Sequence, residues 1–324
     1  MHVLTKHAEP VTGSAGILAV VVLYKTLPEE SSTLATLLQA RMAAPSVRLS
    51  IFIADNTPGG EGKDETREDM RYRSYAHNPG LAEPYNDALA MAEKEGYEWL
   101  LTLDQDTHLP ADFLSKLAGY IDEYRRDERV STIVPRIFDE GRLISPFRFV
   151  GGFWPRVLPE TATGIAKRHC SALNSSSLHR VSALREIGGF DARFPLHNSD
   201  TDLYLRLDQA GKRVAIAGDI RVEHELSILQ REARMSPERY RQSLVDECDF
   251  WDLRMSAAGR MERLVRLMGR ACKGYLQRED GRFQAVTVGE IKRRLLTRRS
   301  GRIRSREGLQ DNVFPSHPSQ RREG

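Results

Sequence analysis

Cysteine is scarce in this 324-residue sequence, and the three that occur (Cys170, Cys248 and Cys272) are far apart, odd in number and without metal-ligand spacing. That usage argues against a disulfide framework or a zinc module and for reduced thiols in a cytoplasmic setting. Long apolar runs are missing too. None approaches the ~18 residues that a membrane-spanning helix needs. The longest early run, GILAVVVLY (Gly16 to Tyr24), suits a buried strand and lacks the flanks of a signal peptide. A strong charge excess is also absent: the net charge is +3, so the molecule as a whole is no obvious polyanion binder. Equally absent are the phosphate loop G-x-x-x-x-G-K-[ST] and a G-x-G-x-x-G after the first strand, together with H-E-x-x-H and G-x-S-x-G. Ordinary P-loop and dinucleotide chemistry are therefore poor readings, as are zincin and hydrolase chemistry.

What is present is a soluble globular composition, 40% hydrophobic and 29% charged, with room for one large domain or two modest ones. Apolar strands alternate with helices. ILAVVVL (Ile17 to Leu23) reads as a buried strand, and Pro28-Glu29-Glu30 opens a helix carrying Leu34, Leu37 and Leu38. LSIFIAD (Leu49 to Asp55) is a second strand. A helix with Pro84 in its first turn follows and ends at Gly96. WLLTL (Trp99 to Leu103) is a third strand, a helix runs from Ala111 to about Tyr124, and STIVPRI (Ser131 to Ile137) is a fourth strand. This order predicts an α/β fold, with a mainly parallel, Rossmann-like sheet covered by helices on both faces.

In such sheets ligands bind beyond the carboxyl ends of the strands. Three polar clusters fall there: Tyr24-Lys25, Asp55-Asn56 and Asp104-Gln105-Asp106. Each has a plain alternative, since Asp and Asn open turns wherever a strand stops. A D-x-D directly after a strand, however, puts two like charges near one point, and a hard divalent cation makes that clustering favourable. Further along, a helix spans Val181 to Ile187, another opens near Asp200 and stops at Gly211, and RVAIAGDIRVEHE supplies one or two short strands.

The segments VVLYKT, IADN, HNPGLAEPYNDAL, LDQD, NSSSLHRVSALREIGGFD, SDTDLYLRLDQAGKR and VEHELS stand in the order seen in family 2 glycosyltransferases. From Ile17 to Ser227 the chain resembles the inverting enzymes of GT-A fold, most closely their rhamnosyltransferase-like branch. The resemblance implies that Tyr24 and Lys25 flank a nucleobase and that Asp55 binds the base or ribose. It implies that Asn78, Gly80 and Asn86 line the donor diphosphate, and that Asp104 and Gln105 reach the nucleotide sugar. Asp104, Asp106 and His224 would hold Mn²⁺ or Mg²⁺. Asp200 would take the proton from the acceptor hydroxyl, with Asp202 as fallback. Asp200 is equally suited to cap a helix, and His224 to close a strand. The implied activity is metal-dependent, inverting transfer from a nucleotide sugar, dTDP-rhamnose first and UDP-sugars next, to a glycan or lipid-linked glycan. The alternatives are a sugar nucleotidyltransferase, against which the Gly-rich basic loop after the first strand is missing, and an inactive nucleotide-sugar-binding scaffold.

The expected organisation is a flexible arm over 1–15 and a GT-A domain over 16–228. The domain divides into a nucleotide-sugar half (16–137) and an acceptor and catalytic half (138–228). A helical basic amphipathic extension follows over 229–299, then a disordered tail over 300–324. In the extension Met261, Leu264, Val265, Met268, Cys272, Tyr275 and Leu276 fall on one helical stripe, with Arg263, Arg266, Arg270 and Lys273 mostly off it. Such a stripe either docks on its own protein or meets an anionic membrane, here through 259–306, placing the chain peripherally on the inner membrane face. Nucleic acid is the less favoured partner.

Overall fold

The computed structural model describes residues 16–60, 64–67, 69–150, 154–167, 169–196, 198–224, 236–254, 256–277 and 280–296. The expected arm, the expected tail and the Glu225–Ser227 end of the VEHELS segment lie outside them.

At the centre is β1 (Ile17–Leu23), seven residues all buried. Ile17, Ala19, Val21 and Leu23 face one apolar cluster and Leu18, Val20 and Val22 the other, which is why the strand reads as an unbroken apolar run. A short 3₁₀ turn (Pro28–Glu30) precedes α1 (Ser32–Ala43), which Ser31 caps by accepting from the Leu34 N–H. Then come β2 (Leu49–Asp55), β3 (Glu65–Arg67) and β4 (Met70–Ser74), followed by α2 (Ala82–Lys94), β5 (Trp99–Asp104), β6 (Thr107–His108) and α3 (Phe113–Tyr124). Next are β7 (Val130–Asp139), β8 (Arg142–Ser145), β9 (Phe147–Val150), β10 (Trp154–Val157) and β11 (Gly164–Ile165). The α/β part closes with β12 (Ser177–Arg180), α4 (Val181–Glu186), α5 (Ser199–Gln209) and β13 (Arg213–His224).

Across the sheet the order is β11-β13-β7-β12-β5-β1-β2-β4-β3. Strands β4, β2, β1 and β5 are parallel; β12 runs antiparallel between β5 and β7, and β13 lies parallel to β7. Helices α1 and α3 cover one face, while α2, α4 and α5 cover the other. The α/β class, the mainly parallel sheet and the helical extension expected from the sequence are all present.

One strand differs from expectation. The segment RVAIAGDIRVEH forms one twelve-residue strand rather than the one or two short strands expected, with a bulge after Ala217. Ala217 is the partner of Pro135, whose ring nitrogen donates nothing to a ladder, so the irregularity falls where the ladder lacks a donor. Past the bulge the strand continues to His224 and ends beside β6, pairing His224 with Thr107.

The C-terminal helices are α6 (Pro237–Arg254), α7 (Ala257–Leu276) and α8 (Gly281–Leu296), around a small core of Leu244, Cys248 and Leu267. They join the α/β part through α6. The Phe250 ring lies edge-on to Phe194 at 5.3 Å, and Trp251 edge-on to Phe149 at 6.2 Å. Among the described residues the apolar stripe of α7 is largely uncovered: Met261, Val265, Met268, Tyr275 and Leu276 are exposed, and the packed side carries Leu267 and Arg263.

Candidate metal and transfer site

The turn Asp104-Gln105-Asp106 leaves β5 and enters β6, and the start of α1 straps it down. Thr33 Oγ1 donates to the Asp104 carbonyl at 2.6 Å and accepts from the Thr107 N–H at 2.8 Å. Ser31 Oγ donates to the Gln105 carbonyl at 2.8 Å. These bonds satisfy the Asp104 and Gln105 carbonyls and the Thr107 N–H of the turn. Neither Ser31 nor Thr33 was singled out in the sequence; both are buried polar residues at a helix start, and only their long-range partners reveal the role.

β6 pairs antiparallel with the end of β13, and this register carries His224 to the two acids. One ligand atom from each of Asp104, Asp106 and His224 lies within 4.8 Å of the others. His224 Nε2 is 3.8 Å from Asp104 Oδ2, and Nδ1 is 3.5 Å from Asp106 Oδ1. Thr107 Oγ1, itself 2.8 Å from Ser175 Oγ, lies 3.0 Å from His224 Nδ1 and orients the ring. The carboxylates are 34% and 42% exposed and the imidazole 6%, so the cluster opens to solvent on its acidic side. Two carboxylates and an imidazole form a donor set that suits Mg²⁺ or Mn²⁺, with open positions for phosphate oxygens and water. The residues fit such an ion.

Electrostatics place Asp200 beside this cluster. Partial desolvation in the cleft lifts the Asp104 carboxyl, which keeps one exposed side, to about 6; His224 opposes the rise, and the like charges of Asp106 and Asp200 add to it. Asp200 itself is pushed up by burial, while the Thr201 N–H, donating to its Oδ1 at 2.7 Å, holds it down. It sits in the first turn of α5, behind Asn198 in the left-handed region (φ 61°). Asp202, two residues on, points elsewhere. Its carboxylate is 1% exposed and accepts from Arg206 Nε at 2.6 Å and Arg254 Nε at 2.5 Å.

Tyr85 is a further residue at this point, and the sequence reading passed over it within EPYNDAL. Its hydroxyl is fully buried beside the Asp104 carboxylate, without a well-formed hydrogen bond to it. Burial first, then the charges of Asp104 and Asp200, push its pKa well above the usual tyrosine value. A buried donor held only loosely between two carboxylates is a group that a ligand would satisfy.

The other predicted residues line the same edge. The Tyr24 N–H donates to Gln105 Oε1 at 2.7 Å, joining the ends of β1 and β5. Lys25 is exposed, takes φ 52° and carries its Nζ over the Tyr24 ring at 5.2 Å. Asp55, at the end of β2, accepts from the Tyr72 hydroxyl at 2.5 Å and from the Thr57 N–H at 2.9 Å. Asn56 is buried and donates through Nδ2 to the Gly80 carbonyl at 2.7 Å. Asn78 has φ 46° and a buried, unpartnered Oδ1. Gly80 (φ 80°) lies so close to Pro195 that a Cβ would come within 2.4 Å of its carbonyl oxygen, and the next N–H, of Leu81, donates to that oxygen. Asn86 stands apart from the others, because both ends of its amide are engaged by the Phe190 backbone at 2.8 Å.

No protein-family model matches the chain, and no curated protein matches it. Among solved structures it is similar to TarS of S. aureus, with a TM-score of 0.45 and 16% identity over 76% of this chain and 41% of that one. It is also similar to TarS residues 1–349, with a TM-score of 0.47 and 13% identity over 86% of this chain and 91% of that one. The same TarS fragment solved in complex with UDP gives a TM-score of 0.45. The chain thus spans less than half of full-length TarS, and likenesses this distant assign no reaction.

Proposed function

We propose that this chain is a metal-dependent glycosyltransferase of GT-A type that inverts the anomeric centre of a nucleotide-sugar donor. One observation carries the reading: His224, far off in sequence, meets Asp104 and Asp106 at the carboxyl ends of the strands, with the Asp200 carboxylate acting on the same point. An accidental turn would not recruit a histidine from the far end of the sheet together with a third carboxylate. The same convergence weighs against an inactive scaffold.

Asp104, Asp106 and His224 would hold Mn²⁺ or Mg²⁺, and the ion would supply electrostatic stabilisation of the charge that develops on the departing diphosphate. Tyr24, Lys25 and Asp55 would hold the base and ribose. Gln105 fixes the Tyr24 backbone. Asn78 and Gly80 would line the diphosphate, and Asn86 would act there through the loop it holds at Phe190. Asp200 would accept the acceptor's hydroxyl proton as the new bond forms, since a carboxylate whose pKa is lifted by burial is a stronger base than a solvated one. A single displacement needs one base and no covalent intermediate. Asp202 is occupied by two arginines and is the poorer candidate. The donor is expected to be dTDP-rhamnose, then a UDP-sugar, and the acceptor a glycan or a lipid-linked glycan.

The test is a panel of nucleotide sugars, with and without Mn²⁺ or Mg²⁺, scored by thermal stabilisation and donor hydrolysis for the wild type, Asp106→Ala and Asp200→Ala. One donor should stabilise the protein in the presence of metal. Asp106→Ala should abolish that response and Asp200→Ala should keep it. No metal-dependent response to any donor would overturn the transferase reading. Nucleotidyl transfer would instead appear as pyrophosphate release from a nucleoside triphosphate and a sugar phosphate.

A further inference from the structure

Helix α7 is amphipathic, yet it packs by the wrong side for a helix that serves only the fold. Met261, Val265, Met268, Cys272 and Tyr275 recur at intervals of three and four residues, with Leu276 beside the last, and so form one continuous face. That face is turned to solvent: Met261 is 62% exposed, Val265 60%, Tyr275 76% and Leu276 80%, and the Cys272 thiol is exposed as well. The opposite side rests on α6, where Leu267 is buried and the Arg263 guanidinium pairs with Glu247 at 5.9 Å from the Trp251 ring centroid. A helix held in place through an arginine, with its apolar face outward, keeps that face for something else.

Charge indicates what the partner is. Residues 256–324 hold seventeen Lys and Arg against seven Asp and Glu, a net of +10, which leaves −7 for residues 1–255. The nearly neutral total hides a strongly two-signed chain. On α7 itself Lys273 and Arg260 are exposed, and at the end of α8 Leu295 and Leu296 are exposed next to Lys292 and Arg293. A second copy meeting this face would bring two segments of +10 together, which like-charge repulsion opposes. An anionic bilayer satisfies both features, with the cations on its headgroups and the stripe at the boundary of headgroup and acyl chain. No helix among the described residues is long and apolar enough to cross a membrane, so the contact would lie in the plane of the surface.

We infer that the outward face of α7 (Met261, Val265, Met268, Cys272, Tyr275 and Leu276) is a docking surface for an anionic lipid bilayer. The inference rests on this surface and its charge, not on the reaction proposed above. It narrows the broad basic region expected from the sequence to one face of one helix.

The test is flotation of the full chain with vesicles of phosphatidylcholine, with or without phosphatidylglycerol. Wild type should float with the anionic vesicles and stay behind with the zwitterionic ones. Val265→Asp puts a charge in the stripe at an exposed position, so folding is not at stake, and it should lower partition by about tenfold or more. Met42→Asp places the same charge at a site 83% exposed on α1 and should leave partition unchanged. Wild type that fails to float on anionic vesicles overturns the inference. So does Val265→Asp floating as well as wild type, which would assign the contact to the cationic chain alone. Vesicle-free sedimentation is the last arm: self-association abolished by Val265→Asp would make the occupant a second copy and overturn it as well.

Discussion

Arg254, the last residue of α6, donates through Nε to Asp202 Oδ1 at 2.5 Å and through Nη2 to Asp191 Oδ2 at 2.8 Å. The C-terminal helices therefore supply a counter-ion to a carboxylate buried in α5, the helix whose first turn carries Asp200. Removing one partner of a buried pair leaves a charge without compensation. Arg254→Ala should destabilise the protein by roughly 3 kcal/mol, read as a lower denaturation midpoint at an unchanged urea dependence. Arg254→Lys should recover only part, because it keeps the charge but not the forked contact with two carboxylates. An unchanged midpoint in Arg254→Ala would mean that Arg206 alone balances Asp202.

Asp200→Asn should lower the turnover of transfer by about 10²–10⁴-fold while leaving donor affinity and metal-dependent stabilisation intact. Because burial raises the Asp200 pKa, the acid limb of turnover should lie above the ordinary carboxylate range. Activity is then lost as pH falls through that limb, since the protonated carboxyl no longer accepts. A pH profile of turnover at saturating donor and metal checks it, and a limb at the ordinary carboxylate value would count against Asp200 as base.

Tyr85→Phe separates function from folding by sign. A buried hydroxyl that meets Asp104 without a well-formed hydrogen bond adds little stability, so its removal should leave thermal stability unchanged or slightly raised. If the hydroxyl donates to bound ligand beside Asp104 and Asp200, kcat/KM should fall by roughly 10- to 100-fold, the value of one hydrogen bond to a charged group. A stable variant with full activity would reduce Tyr85 to packing.

His179 sets an expectation for acid stability. It is fully buried between Thr102 and Thr132, and burial depresses its pKa to about 3. Its stabilising contribution is complete above the unfolded value near 6.5 and is lost as pH falls from there toward 3, because only the unfolded chain takes up the proton. The slope attributable to this group is at most roughly 1.4 kcal/mol per pH unit. Chemical denaturation of wild type and His179→Asn between neutral and acid pH should give a shallower dependence in the variant; equal slopes would exclude His179 as the cause.

Much of the α/β architecture was legible because its strands are buried on both faces and so appear as apolar runs, as in β1 and β2. Asp104 and Asp106 were legible because they follow such a run directly. His224 could be brought to them only through the β6–β13 register, a long-range pairing that no local pattern encodes. Tyr85 was hidden for another reason: an aromatic on the buried side of an amphipathic helix looks like core, and here it is core with one polar atom aimed at the site. The inward pairing of Asp202 and the outward apolar face of α7 depend on how helices dock, which periodicity does not determine.

The close approach of Gly80 to Pro195 bears on attempts to change donor or acceptor choice by laboratory evolution. The loop entering α2 and the loop entering α5 touch at a point where no side chain fits, and the Leu81–Pro195 hydrogen bond seals the contact. Libraries randomised along both loops should return glycine at position 80 from nearly every active clone. An exposed neighbour such as His77 would drift freely. The two loops bordering the candidate site would then evolve as one coupled unit, and a new specificity would have to be built around that fixed seam.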